Sequence, residues 1–228
     1  MIMNKINIAI DGPAGAGKST VARMVAEQLG FTYIDTGAMY RVVTWKALKQ
    51  RVDVDDESAL AELLKETEIG LVQDGLESRV YCDGADRSEQ IRAPEVTERV
   101  SYVAAHRKIR EDLVKRQQAL AASGGTVMDG RDIGTAVLPD AKLKVYLTAP
   151  VEERARRRYD EQIKKGISTD FDQLKQDIET RDRLDTERDV TPLRQAEDAI
   201  LLDSTDMSVE EVVSSIISLK NKGDDQLE

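Results

Sequence analysis

The chain predicts an α/β fold, a parallel central sheet with helices on both faces, on three observations. Short apolar runs bounded by turn residues alternate with longer segments of helical period along most of the length. The first such run, Ile6 to Ile10, enters a helix through a glycine-rich loop, as strand–helix units of parallel sheets do. Between Ile69 and Asp86 the pattern changes to two short strands about an Asp74-Gly75 turn, so a small antiparallel sheet is inserted into the frame.

Ile6 to Ile10 is apolar at nearly every position, as expected of a strand buried on both faces. The loop after it, Gly12-Pro13-Ala14-Gly15-Ala16-Gly17-Lys18-Ser19, fits G-x-x-x-x-G-K-[ST] at every fixed position, and Thr20 follows. Backbone N–H groups can wrap a phosphate chain only where side chains are small and positive φ is allowed. The helix through Val21, Val25 and Leu29 then points its unpaired N–H groups and positive dipole end at the anion. Lys18 supplies a charge at the β and γ phosphates and Ser19 a hydroxyl ligand for Mg²⁺. Residues Gly12 to Thr20 are therefore the expected ATP-binding loop.

Phe31 to Ile34 reads as a second strand, ending in Asp35-Thr36-Gly37-Ala38-Met39-Tyr40-Arg41. Thr36 is the expected cap of the helix that carries Tyr40, Arg41, Val42, Trp45 and Leu48. A helix over 58–67 follows an acidic entry, and after the inserted sheet one long helical region runs from Ala93 to about Ser123, closed by Gly124-Gly125. Thr126 to Met128 is a strand ending in Asp129-Gly130-Arg131-Asp132, and Leu143 to Leu147 is another. A basic helix starts near Pro150, a second spans Phe171 to Glu187, and Ala199 to Asp203 is the last strand. Ser208-x-x-Glu211 forms a capping box for the final helix, and the tail from Lys220 to Glu228 is expected to fray. In parallel sheets of this kind, ligands bind beyond the carboxyl ends of the strands. The motif residues fall at those ends, which predicts one cleft for two substrates.

At 228 residues, with 40% hydrophobic and 33% charged, the chain is expected to be globular. A net charge of −10 disfavours broad binding to nucleic acid or anionic lipid, so an anionic ligand has to be held by local arginines. Cys82 is the single cysteine, which rules out an intrachain disulfide and a Cys-rich zinc site and suits a cytoplasmic location. Met1 to Lys5 is expected to lead directly into the first strand with no signal peptide, and no apolar run approaches the ~18 residues of a membrane span.

Transfer of a phosphoryl group between two anions needs cations around both. The densest arginine cluster is Glu152-Glu153-Arg154-Ala155-Arg156-Arg157-Arg158, with Arg154 and Arg158 neighbours at i,i+4. By itself it suits a solvated helix face. Beside an ATP loop in an acidic chain it reads as a lid that excludes water. Arg181, Asp185 and Arg188 share a helix face, which either an ion pair or an anion site explains. His106 takes no catalytic role, and Cys82 and Trp45 read as packing residues. Asp11 and Asp129 either hold Mg²⁺ waters or orient loop residues.

Asp35 to Arg41, Met128-Asp129-Gly130-Arg131-Asp132-Ile133-Gly134-Thr135 and Arg181-Asp182-Arg183-x-Asp185-x-x-Arg188 together resemble the bacterial cytidylate kinases, over essentially the whole chain. The resemblance implies a three-layer P-loop kinase fold. Residues 1–36, 126–150 and 171–228 would form the core, residues 37–125 the nucleoside-monophosphate-binding domain with its small sheet near 69–86, and residues 151–170 a short helical lid. It implies transfer of the ATP γ-phosphate to CMP and dCMP in pyrimidine nucleotide metabolism, with Mg²⁺ and as a monomer. Ser101, Arg110 and Asp132 stand where the family contacts cytosine. Arg181, Asp185 and Arg188 stand around its sugar and phosphate. Thr36, Tyr40, Arg41 and Arg131 join the CMP side, and Lys18, Arg131, Asp132, Arg154 and Arg158 are the implied catalytic set. Two alternatives remain: a kinase of the same architecture acting on UMP, AMP or shikimate, and a nucleotide-dependent switch or DNA-associated ATPase.

Overall fold

A computed structural model describes residues 6–74 and 77–225. Its central sheet has five parallel strands in the order β2-β6-β1-β7-β8, namely Thr32–Asp35, Thr126–Gly130, Ile8–Asp11, Leu143–Thr148 and Ile200–Asp203. Side chains alternate across it. Ile8, Ile10, Val127 and Val145 meet Val21 and Val25 of α1 (Lys18–Leu29) and Val212 and Ile216 of α8 (Val209–Asp225) on one face. Ala9, Ile34 and Met128 face the other side, under Ile133, Val137 and Ala121. Burial on both faces is why these strands are apolar throughout.

Between β2 and β6 the chain builds a second body from α2 (Thr36–Gln50), α3 (Glu57–Lys65), α4 (Pro94–Ala105) and α5 (Arg107–Ala121). These helices share a core of Met39, Val43, Leu60, Leu64, Val103, Ile109 and Leu113. Beside them lies the antiparallel sheet β3-β4-β5, made of Ile69–Asp74, Glu77–Cys82 and Ala85–Asp86. Register places Asp74 opposite Glu77; the expected turn at Gly75 lies outside the described residues. Val80 and Cys82 pack on Ala38 and Val42, with Trp45 against them. Gln73 accepts a hydrogen bond at 2.6 Å from the Tyr33 N–H on the free edge of β2, tying the small sheet to the core. The chain closes with α6 (Val151–Lys164) and α7 (Phe171–Glu187). The capping box of α8 forms as the residues predict, Ser208 N–H to Glu211 at 2.8 Å and Glu211 N–H to Ser208 at 3.3 Å.

Several expectations need correction. The helical region from Ala93 is two helices, broken at His106, whose backbone is extended and whose ring nitrogen lies 2.8 Å from the Val54 carbonyl. No glycine or proline marks this break; a contact distant in sequence makes it. Asp35, not Thr36, caps α2 by accepting from the Ala38 N–H at 2.9 Å, because Thr36 is already helical and its hydroxyl is committed to the Asp129 carbonyl at 2.7 Å. The third short strand, Ala85–Asp86, and a π-helical turn over Ile133–Val137 were not foreseen. The tail does not fray at Lys220, since α8 continues to Asp225; residues 226–228 lie outside the described residues.

Candidate active site

The carboxyl ends of β1, β2 and β6 bring Asp11, Asp35 and Asp129 to one edge of the sheet, Asp35 in register with Asp129 and Asp11 one residue further along, opposite Gly130. The glycine-rich loop starts there. Gly12 has φ +149°, and a Cβ on it would stand 2.0 Å from the Leu147 carbonyl oxygen, so the loop leaves β1 only because that position lacks a side chain. Gly17 caps α1 in a left-handed conformation with no side-chain acceptor, which leaves the first N–H groups of the helix for an anion. Gly15 and Gly17 are exposed, whereas Pro13, Ala14 and Ala16 are buried and Thr20 faces solvent. Lys18 folds onto the loop and donates to the Pro13 carbonyl at 2.7 Å. Burial, reinforced by Arg131, pulls its ammonium well below the ordinary lysine range.

Two carboxylates, Asp129 and Asp182, hold this loop, and a third, Asp11, holds the turn beside it. Asp129 accepts from Ser19 Oγ at 2.8 Å and from the Tyr33 hydroxyl at 2.7 Å, and its burial pushes it above the usual carboxylate range. Asp11 accepts from the Ile133 and Gly134 N–H groups at 2.8 and 2.7 Å, so it fixes the turn that follows Asp132. Its burial outweighs those hydrogen bonds and pushes it up to about 6. Asp182 on α7 accepts from the Ala14 N–H at 3.0 Å. Arg154 is buried rather than swinging in a solvated lid. It donates to Ala14 O at 2.7 Å, to Ala149 O at 2.8 Å and to Asp182 at 2.6 Å. Arg158 sits on the same helix but half exposed, paired with Glu161 at 2.8 Å.

Opposite the loop, two groups of buried acids and arginines converge. In one, Arg110 on α5 donates to Asp132 at 2.5 Å and Arg188 approaches the other Asp132 oxygen at 3.7 Å, with the Arg110 guanidinium 5.2 Å above the Tyr40 ring. In the other, Asp185 accepts from Arg131 at 2.8 Å and from Ser101 at 3.3 Å. Burial alone would raise Asp185; Arg131, Arg181 and Arg188 override it and hold the carboxyl below its ordinary value. Arg181 lies half-buried beside them, and its Nε is shielded from solvent with no hydrogen-bond partner. Burial and Arg131 lower its basicity. Arg41 on α2 donates to Thr97 and the Ile91 carbonyl at 2.9 and 3.2 Å, and burial together with Arg181 brings it down to about 9. Buried guanidiniums that weaken one another mark a site awaiting negative charge.

Of the residues singled out in the sequence, the structure places Gly12 to Gly17 in the loop, Lys18 to Thr20 in the first turn of α1, and Thr36, Tyr40 and Arg41 on α2. Ser101 lies on α4, Arg110 on α5, Arg131 and Asp132 after β6, and Arg181 and Asp185 on α7, with Arg188 just beyond it. Tyr33, Asp182 and Thr191 were missed. Asp182 was within reach, inside the quoted Arg181 to Arg188 motif. Nothing local distinguished Tyr33 from an ordinary strand residue.

Together the loop, the parallel sheet and the facing arginine cluster define a P-loop phosphotransferase with an inserted acceptor-binding body. The model of the family described as cytidylate kinase matches residues 8–222. Cytidylate kinases of Bacillus cereus (strain ATCC 10987 / NRS 248) and Bacillus cytotoxicus (strain DSM 22905 / CIP 110041 / 391-98 / NVH 391-98) are each 55% identical over 215 residues, 94% of this chain and 96% of theirs. The chain belongs to the cytidylate kinase family. In fold alone it is also similar to a gluconokinase from Sinorhizobium meliloti 1021, with a TM-score of 0.50 and 13% identity over 98% of this chain and 97% of that one. No helix among the described residues is long and apolar enough to cross a membrane.

Proposed function

We propose that the protein transfers the γ-phosphoryl group of ATP to CMP and dCMP, giving ADP and CDP or dCDP, as a cytoplasmic monomer. The carrying observation is that arginines converge opposite the glycine-rich loop, among them Arg181, whose Nε is shielded from solvent with no hydrogen-bond partner. Residues 1–36, 126–150 and 171–228 serve as the ATP-binding core, residues 37–125 as the acceptor-binding domain and residues 151–170 as a lid. The loop from Gly12 to Thr20 holds the donor phosphates through backbone N–H groups, and Lys18 leaves the Pro13 carbonyl for them. Ser19 Oγ beside the Asp129 carboxylate is an all-oxygen donor set that fits a hard cation such as Mg²⁺, carried in by the nucleotide. Bound there, Mg²⁺ would offset the charge of the phosphate chain.

On the acceptor side, Asp132 accepts from the exocyclic amine of cytosine while Arg110 and Ser101 meet the ring's acceptors. Uracil reverses a donor and an acceptor, leaving buried groups unpaired at a cost of about 1–3 kcal/mol. Asp185 accepts from a ribose hydroxyl, Arg41, Arg131, Arg181 and Arg188 surround the CMP phosphate, and Thr36 and Tyr40 line the same wall. That phosphate is already ionised near neutrality, so no general base is required; positioning and charge stabilisation suffice. Arg158 neutralises the group in transfer, while Arg154 holds the loop. The test is ADP release with CMP, dCMP, UMP, AMP and shikimate as acceptors. CMP or dCMP is expected to give the highest kcat/KM; a preference for any of the other three would overturn the reading.

A further inference from the structure

Three non-glycine residues among those described have positive φ. Arg51 closes a helix and Asp83 sits in a turn, places where this conformation is common. Thr191, at φ +43°, has neither excuse. A β-branched residue is poorly suited to the left-handed region, and the residue before a proline, here Pro192, prefers extended backbone. Such a conformation persists only where its surroundings hold it.

What holds it is the acceptor site. Arg110 Nε donates to Thr191 Oγ1 at 2.6 Å, and Arg188 donates to the Thr191 carbonyl from Nε at 2.9 Å and from Nη2 at 2.6 Å. These are the two arginines that flank Asp132. In Arg110, Nε meets Thr191 and Nη2 meets Asp132, with Nη1 on the Ala104 carbonyl at 2.9 Å; in Arg188, the Nη2 that donates to Thr191 is also the atom nearest Asp132. An extended residue at this position would carry hydroxyl and carbonyl away from one arginine or the other.

We propose that Thr191 is a positioning residue for acceptor recognition. It locks Arg110 and Arg188 around Asp132, and its strained backbone is what keeps both contacts at once. The inference rests on the cytidylate reading for the identity of the acceptor. Thr191→Gly removes the hydroxyl but suits the backbone; Thr191→Ser keeps the hydroxyl and sheds the β-branch. For Thr191→Gly the expected result is a KM for CMP raised about tenfold, one hydrogen bond's worth of binding. The KM for ATP stays unchanged and the melting temperature is equal or higher. Thr191→Ser should keep the KM for CMP within about twofold. The inference falls if Thr191→Gly leaves the KM for CMP unaltered, if Thr191→Ser loses as much as Thr191→Gly, or if Thr191→Gly raises both KM values alike while lowering the melting temperature. CMP turnover by the unchanged protein tests the cytidylate reading separately: if it is present while Thr191→Gly behaves normally, only the inference is lost.

Discussion

Arg154 and Asp182 form an ion pair at 2.6 Å that grips the glycine-rich loop, taking the Ala14 carbonyl with the arginine and the Ala14 N–H with the carboxylate. One helix therefore serves both halves of the cleft, because α7 carries Asp182 toward the donor loop and Arg181 and Asp185 toward the acceptor. Asp182→Asn keeps the shape but not the charge. We expect the KM for ATP to rise about tenfold, the loss of a charge-assisted contact, with secondary structure by circular dichroism unchanged. An unaltered KM for ATP would show that the loop holds its shape without this pair.

Arg154 and Arg158, one turn apart, should separate cleanly. Arg154→Ala leaves Asp182 without its counter-ion at a largely buried place and should cost about 3 kcal/mol in urea unfolding. Arg158→Ala, half exposed, should change stability by less than about 0.5 kcal/mol. Its kcat should nonetheless fall at least tenfold, since its charge reaches Arg41 and Arg181. Equal loss of stability in both variants would contradict the assignment.

Asp132 lies between Arg110 and Arg188 and is buried with them. Asp132→Asn should lower kcat/KM for CMP by two orders of magnitude or so, while ATP affinity measured by calorimetry stays within about threefold. Parallel loss of both would make the residue a structural one.

Asp11 predicts a pH effect of definite sign. Its carboxyl titrates near 6 in the folded protein against 3.8 for an ordinary aspartate, so folding takes up a proton between those values. Stability contributed by this group is therefore largest below pH 4 and is lost as pH rises through 6. Relative to Asp11→Asn, which does not titrate, the unchanged protein should gain up to about 3 kcal/mol between pH 7.5 and pH 4. Urea unfolding of both proteins at several pH values measures it. A constant difference would mean that Asp11 is not desolvated.

The glycine-rich loop was legible in the residues. G-x-x-x-x-G-K-[ST] admits one backbone path, since Gly12 can hold no side chain against Leu147, and the loop joins neighbouring elements. The extent of α7, Phe171–Glu187, and the capping box at Ser208 were equally local, being set by side chains within one helical turn. The residues proposed for the acceptor side were legible only as a motif resemblance, because their contacts span long stretches of chain: Arg110 with Asp132, Ser101 with Asp185.

Tertiary structure decided the rest. The sequence left Arg154 between a solvated face and a water-excluding lid because helical spacing shows a face, not what covers it, and α7 and Ala14 cover this one. The break at His106 and the left-handed backbone of Thr191 oppose local preference, and each has a partner far away in sequence, Val54 and Arg110. Sequence alone determined the sheet, the loop and the charge that the site must supply, all products of short-range geometry and composition. Which arginine faces the ligand, and which is spent holding another residue in place, depended on burial and on the long-range hydrogen bonds that only the folded chain completes.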